Sequence, residues 1–368
     1  MGESTFFNIS TLLYFLSMAT YITYIAFRRD AIGMIATTLT ASGFLCQTIA
    51  MLMRWVGSYN MWMMSKPSAT FFEALLRGTP IRNLYESLVF FVWSIVLIYL
   101  IIEFRYKNRF LGAFVMPVAG LTLAFIDVSG LSKEIQPLIP ALQSNWLLFH
   151  VILSFLGYAA FGVSFASAVV YLVMITESRN EKSYIFWSIT VGVFLILLIA
   201  MGIDYLSMSM APGESYIRNY FLKSTFKSSS GFVVITSWLL SILFIILLWR
   251  YGLGLKKVVS SFSVSNSILD EIGYKSIAIG FPLFTLGGVI MGAVWANSAW
   301  GTYWSWDPKE TWSLITWFIY AGYIHARFVA GWRGKRVAVL SLIGFVAVVF
   351  TYLGVNLFLS GLHSYGSG

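Results

Sequence analysis

The chain has 368 residues, of which 58% are hydrophobic and 11% charged, and its mean hydropathy is +0.79. That composition excludes a soluble globular domain and defines an integral protein of the lipid bilayer. The net charge of +9 is explained by cytoplasmic loops rich in Lys and Arg, so it does not call for a nucleic-acid partner.

The N-terminus, MGESTFFNIS, has neither a basic n-region nor a small-residue cleavage site, and position six is not Ser or Thr. The first apolar run therefore reads as a retained span, neither a signal peptide nor a myristoylation site. A hydrocarbon core of ~30 Å takes about 20 apolar residues per helix. Such runs lie near 6–27, 31–53, 84–104, 110–126, 146–175, 184–204, 232–249, 276–296, 311–328 and 336–359. The expected fold is thus an all-α polytopic transmembrane bundle of about ten spans, forming a single domain over 1–368. Cys46 is the only cysteine and lies in the second run, so any thiol-pair chemistry belongs to another molecule.

Basic residues gather in alternate loops: Arg28 and Arg29; Arg105, Lys107 and Arg109; Arg179 and Lys182; Lys256 and Lys257; Arg327, Arg333, Lys335 and Arg336. These loops are expected inside, which places both termini on the outer, non-cytoplasmic side. The polar 205–231 segment is expected as an outer loop, and 252–272 as a cytoplasmic linker with room for a short surface helix.

Glu73, Arg77, Arg82 and Glu86 flank an outer loop. They read as solvated charges or caps, with Arg77 or Arg82 as an alternative partner for a carboxylate ligand. His150 follows QSNWLLF at the outer start of the fifth run. The segment WANSAWGTYWSWDPKETW, 295–312, then holds five tryptophans. Such indoles suit an interfacial belt, but Trp300, Gly301, Trp304, Trp306 and Asp307 crowd so closely that a large planar ligand explains them better, with Gly301 permitting close approach. Asp307, Pro308 and Glu310 read as N-cap, first helical residue and capping-box partner. His325 lies 13 residues beyond Trp312, about 20 Å along a helix and so towards the inner leaflet. His363 follows the tenth run. A lone histidine is often a hydrogen-bonded packing residue; two outer ones, His150 and His363, can also supply both axial imidazoles of an iron porphyrin. No glycine-rich phosphate loop opens a soluble helix, so no nucleotide site is expected.

WGTYWSWDPKETW resembles the WWD signature of haem-handling membrane proteins. The longer match over 276–366, with PALQSNWLLFHVILSFLGYAAF (140–161) and GTPIRNLYESLVFF (78–91), is similar to the CcsA/ResC branch of c-type cytochrome biogenesis. That resemblance implies that His150 and His363 are the external haem ligands and His325 a ligand within the membrane, while Trp300, Gly301, Trp304, Trp306 and Asp307 cradle the ring. It further implies transport of haem b to the outer face and its attachment to the Cys-x-x-Cys-His motif of apocytochrome c. The chain would then be a subunit of a holocytochrome c synthase (haem lyase), working with a CcsB/ResB-type membrane partner and indirectly with thiol-reducing proteins. The membrane implied is a bacterial cytoplasmic (inner) membrane or a thylakoid. The runs within 184–249 look like a two-span insertion relative to that branch. A haem exporter that loads a chaperone, and a permease or scaffold without haem, are the competing readings.

Overall fold

A segment crossing lipid must satisfy its own backbone N–H and C=O groups, and a helix does so internally. The computed structural model describes residues 2–81, 83–107, 109–128, 133–135, 144–193, 196, 231–260, 265–355 and 359, and among these there is no strand. The helices are α1 (Glu3–Phe27), α2 (Asp30–Ser65), α3 (Phe71–Arg77), α4 (Leu84–Tyr106), α5 (Gly112–Val128), α6 (Asn145–Ile175), α7 (Gly231–Ser260), α8 (Asn266–Phe284), α9 (Gly292–Trp300), α10 (Pro308–Phe328) and α11 (Lys335–Val349). A further helical stretch covers 182–193. A π-helical turn, Thr285–Met291, joins α8 to α9, and a second, Phe350–Gly354, extends α11.

Among the described residues six helices are long and apolar enough to cross a membrane: Glu3–Phe27, Asp30–Ser65, Tyr85–Tyr106, Asn145–Ile175, Asn266–Trp300 and Lys335–Gly354. The remaining expected runs differ for separate reasons. Helix α5 has 17 residues with Pro117 inside it, short of the length that spans a hydrocarbon core. Helix α10 has 21 residues, but its indoles and phenols, with His325 and Arg327, dilute its hydropathy. The apolar part of α7 is the shorter stretch Trp238–Gly254, and of 184–204 only residues up to 193, and 196, are described. The expected 252–272 linker is mostly helix, since α7 runs to Ser260 and α8 begins at Asn266.

Helix α6 is the hub, packing against α4, α8 and α11. It can do so because its middle is small: Gly157, Ala160, Gly162, Ser164, Ala166 and Ser167 are all buried. A Cβ on Gly157 would lie 3.1 Å from the Gly280 carbonyl oxygen, and one on Gly280 would lie 3.1 Å from the Gly157 carbonyl oxygen. Helices α6 and α8 therefore meet backbone to backbone, the packing that small residues allow in membranes. Ser164 and Ser341 hydrogen-bond at 2.8 Å between α6 and α11. Elsewhere Tyr14 donates to Gln47 at 2.8 Å to tie α1 to α2.

Charged side chains close the two ends of the bundle. At one end Arg54 of α2 donates to Glu86 and to Glu3, each at 2.8 Å, and to the Lys133 carbonyl at 2.9 Å. Glu86 was expected as a solvated charge or part of a cap; it stands in the first turn of α4, its amide donating to the cap Asn83 at 2.8 Å, but is only 3% exposed, because α4 begins in the shelter of α1 and α2. At the opposite end Glu103 accepts from Tyr21 at 2.7 Å and from Thr37, with Arg109 3.6 Å away. Asp270 there holds Arg327 at 2.8 Å and accepts from the Gly334 amide at 2.9 Å.

Breaking a buried pair strands its remaining charge, at a cost of about 3–5 kcal/mol. Arg54→Ala is accordingly expected to lower the thermal unfolding midpoint in detergent far more than Lys66→Ala, whose partner Glu73 is at the surface and contributes about 1 kcal/mol or less. Equal midpoints for the two variants would refute the clamp.

Candidate functional site

His150 stands in the second turn of α6, whose start is capped by Ser144 accepting from the Trp146 amide at 3.3 Å. Its imidazole is half-buried against the π-turn. Nδ1 lies 2.8 Å from the Gly287 carbonyl oxygen; a carbonyl only accepts, so Nδ1 carries the proton. In the neutral ring Nε2 then holds the lone pair, the form in which histidine binds a metal. On its other side the ring stacks on Trp295 at 5.9 Å and 14°. Trp295, 2% exposed, meets Trp300 edge-on at 5.7 Å. The structure thus links His150 to the tryptophan segment through one buried indole.

Helix α9 ends at Trp300 because Gly301 turns left-handed, φ +80, and its amide caps the Asn297 carbonyl at 3.0 Å. The loop that follows is gathered by one carboxylate. Glu310 Oε2 accepts from the Ser305 amide at 2.7 Å, the Ser305 hydroxyl at 3.1 Å and the Asp307 amide at 3.3 Å. Asp307 in turn accepts from the Lys309 amide at 3.0 Å, completing the expected capping box with Pro308 in the first turn. Between these anchors Trp306 is held at φ +59, a conformation costing a bulky residue about 1–3 kcal/mol, and its indole is 69% exposed. Trp304 packs edge-on to Trp306 at 5.9 Å. The buried Trp304 Nε1 donor and Glu310 Oε1 acceptor have no hydrogen-bond partner among the described residues. Unsatisfied buried groups cost about 1–3 kcal/mol each, and they are where a polar ligand group would bind.

Lys309 points the other way, its ammonium 5.6 Å above the Tyr352 ring. It lies just outside the expected span 311–328. Burial lowers its pKa from 10.5 to about 8, opposed by the Asp307 carboxylate.

Helix α10 is pinned on its inward face. Tyr320 stacks on Phe161 at 3.6 Å, Trp317 donates to Thr285 at 2.9 Å, and Thr316 bonds Thr351 at 2.9 Å. The opposite face, Ile315, Phe318, Gly322, His325 and Val329, is exposed, and among the described residues the His325 imidazole has no hydrogen-bond partner. His325 therefore looks out of the bundle, away from His150. His363 lies outside the described residues, so its pairing with His150 rests on sequence. Of the loop charges, Arg77 has a buried Nη1 without a partner among the described residues, Glu73 follows the cap Thr70, and Arg82 is outside the described set. Sequence reasoning missed Arg54 and the π-turn; a charged residue directly at the end of the apolar run 31–53 was the available signal for the first.

Fold and site together define a polytopic helical membrane protein with a histidine and tryptophan cluster at one end of its bundle. The chain belongs to the cytochrome c assembly protein family, whose model matches residues 81–363. It is similar to proteins named cytochrome c biogenesis protein CcsA. The one from Gloeobacter violaceus is 40% identical over 290 residues, 78% of each chain. That of Pyropia yezoensis is 36% identical over 296 residues, again 78% of each. That of Crocosphaera subtropica is 36% identical over 372 aligned positions, 98% of this chain and 96% of the relative.

Two outcomes follow from the local geometry. Glycine adopts φ +59 without penalty, so Trp306→Gly is expected to stabilise the fold by about 1 kcal/mol, whereas Trp304→Gly destabilises it; chemical denaturation of both in detergent decides. For Lys309 the folded state loses its proton near pH 8 while the unfolded chain keeps it to about 10.5. The unfolded state then binds more protons, so stability rises with pH across that interval. Unfolding midpoints from pH 7 to 10.5 should rise in the parent relative to Lys309→Met, and parallel curves would disprove it.

Proposed function

We propose that the chain carries haem to the outer end of its bundle and presents it there for attachment to apocytochrome c, as part of cytochrome c maturation. The observation that carries this reading is the His150 tautomer. A half-buried imidazole donates its Nδ1–H to a backbone carbonyl, which leaves the Nε2 lone pair available to a metal, and sits in contact with an indole that leads to the tryptophan loop. The residues fit the cargo. His150, with His363 as its opposite number, would take the two axial positions of the iron. Trp300, Trp304 and Trp306 offer flat apolar faces, the Trp304 N–H is suited to a propionate, and Gly301 and Asp307 shape the loop that holds them.

Two axial imidazoles leave no open coordination position for oxygen, which protects the reduced iron. The attachment step needs positioning more than acid–base power. Each cysteine S–H adds across one vinyl C=C, forming one C–S bond while the thiol hydrogen goes to the other vinyl carbon, with no net oxidation. His325, looking out of the bundle, would hold haem earlier, opposite a histidine of a CcsB/ResB-type partner. Ten spans with both termini outside suit this path, since Arg28, Arg105, Arg179 and Arg327 then lie at the cytoplasmic end. The cargo is haem b, and the membrane a bacterial cytoplasmic membrane or a thylakoid.

The test is the visible spectrum of the purified chain, alone and with its partner. The parent is expected to show a Soret band with sharp reduced α and β bands. His150→Gly with His363→Gly should broaden them, and added imidazole should restore them. An unchanged spectrum in that double variant would move the ligand role elsewhere; no Soret band in any preparation would return the tryptophans to an interfacial belt.

A further inference from the structure

We infer that the π-turn Thr285–Met291, with Gly292 at its end, is the positioning element that aims His150 at haem. This rests on the ligand role proposed for His150 and deepens it. A π-turn inserts one extra residue into a helix, and such insertions concentrate at functional sites. Here the insertion does three things to one imidazole. The Gly287 carbonyl, which also accepts from the Gly292 amide, receives the Nδ1 proton at 2.8 Å. Gly292 leaves the space in which the ring lies: a Cβ there would be 2.9 Å from Nδ1 and 3.0 Å from Cε1. Three residues further on, Trp295 stacks on the same ring. Position 287 is itself a glycine because the turn presses on α6, where a Cβ would come within 2.6 Å of the Ser154 amide nitrogen.

The consequence is chemical as well as steric. A neutral carbonyl as Nδ1 acceptor fixes the tautomer and adds modestly to the basicity of Nε2 without drawing the proton away, as a carboxylate would tend to do. In an uninterrupted α-helix the next residues would rotate relative to α6, and carbonyl, gap and indole would no longer converge on one ring. Gly287, Gly292 and Trp295 are positioning residues in this scheme, acting through His150.

The decisive variant is Gly292→Ala, compared with Gly273→Ala, a helix glycine of α8 whose Cβ would meet only ordinary contacts. With haem loaded, Gly292→Ala is expected to lose the sharp reduced α and β bands and to regain them with imidazole, as His150→Gly does, while Gly273→Ala keeps the parental spectrum. A parental spectrum for Gly292→Ala beside an altered one for His150→Gly would overturn the positioning role and leave the ligand role standing. A parental spectrum for His150→Gly would overturn both. Should Gly292→Ala not fold, the double variant with His150→Gly removes the ring from the alanine methyl: recovery of folded protein supports the contact, and failure of both variants overturns it.

Discussion

The close crossing of α6 and α8 is the constraint on which the rest depends. With Gly157 and Gly280 each lacking a side chain, the two backbones approach until a Cβ on either would stand 3.1 Å from the other's carbonyl oxygen. Only at that separation can a side chain early in α6 reach a main-chain carbonyl in the π-turn that follows α8. A wider crossing would leave the Gly287 oxygen beyond reach of His150. The same approach buries α6 on nearly every side and makes it the axis around which α4, α8 and α11 are placed. In lipid, where apolar side chains gain little by leaving a neighbour of equal polarity, this shape matching carries much of the association energy.

The tryptophan loop is organised by a different principle, local electrostatics. One Glu310 oxygen collects three donors from two residues, and Trp306 is forced into a left-handed backbone between them. Hydrogen bonds to a charged acceptor contribute about 1.5–3 kcal/mol each, enough to offset a strain of about 1–3 kcal/mol. The loop's shape is therefore set by its own sequence, while its location is set by Gly301 ending α9 and Asp307 starting α10.

Much of this was legible in the sequence, and the limits have physical causes. The capping residues at 307–310, the membrane character, the helical class and the family resemblance all follow from local pattern, and the structure or the comparisons agree with them. The number of spans was less legible, because apolar runs do not reveal how polar a helix such as α10 is allowed to be when one face is packed by Tyr320 and Thr316. Of the two readings of Glu86, solvated charge or cap, the first fails because its partner, Arg54, lies 32 positions away and only folding brings them together. The His150–Gly287 contact spans 137 positions and depends on an inserted residue that no hydrophobic period announces. His325 was placed correctly on a helix, but its outward aim is decided by what packs on the other side.

That outward aim has a kinetic consequence. A group on the outer wall of a helix bundle is approached from the side and not through the protein's interior, so a partner side chain that meets His325 arrives from beside α10. For a partner held in the same membrane, such an encounter is a two-dimensional search, governed by its surface density and by lateral diffusion.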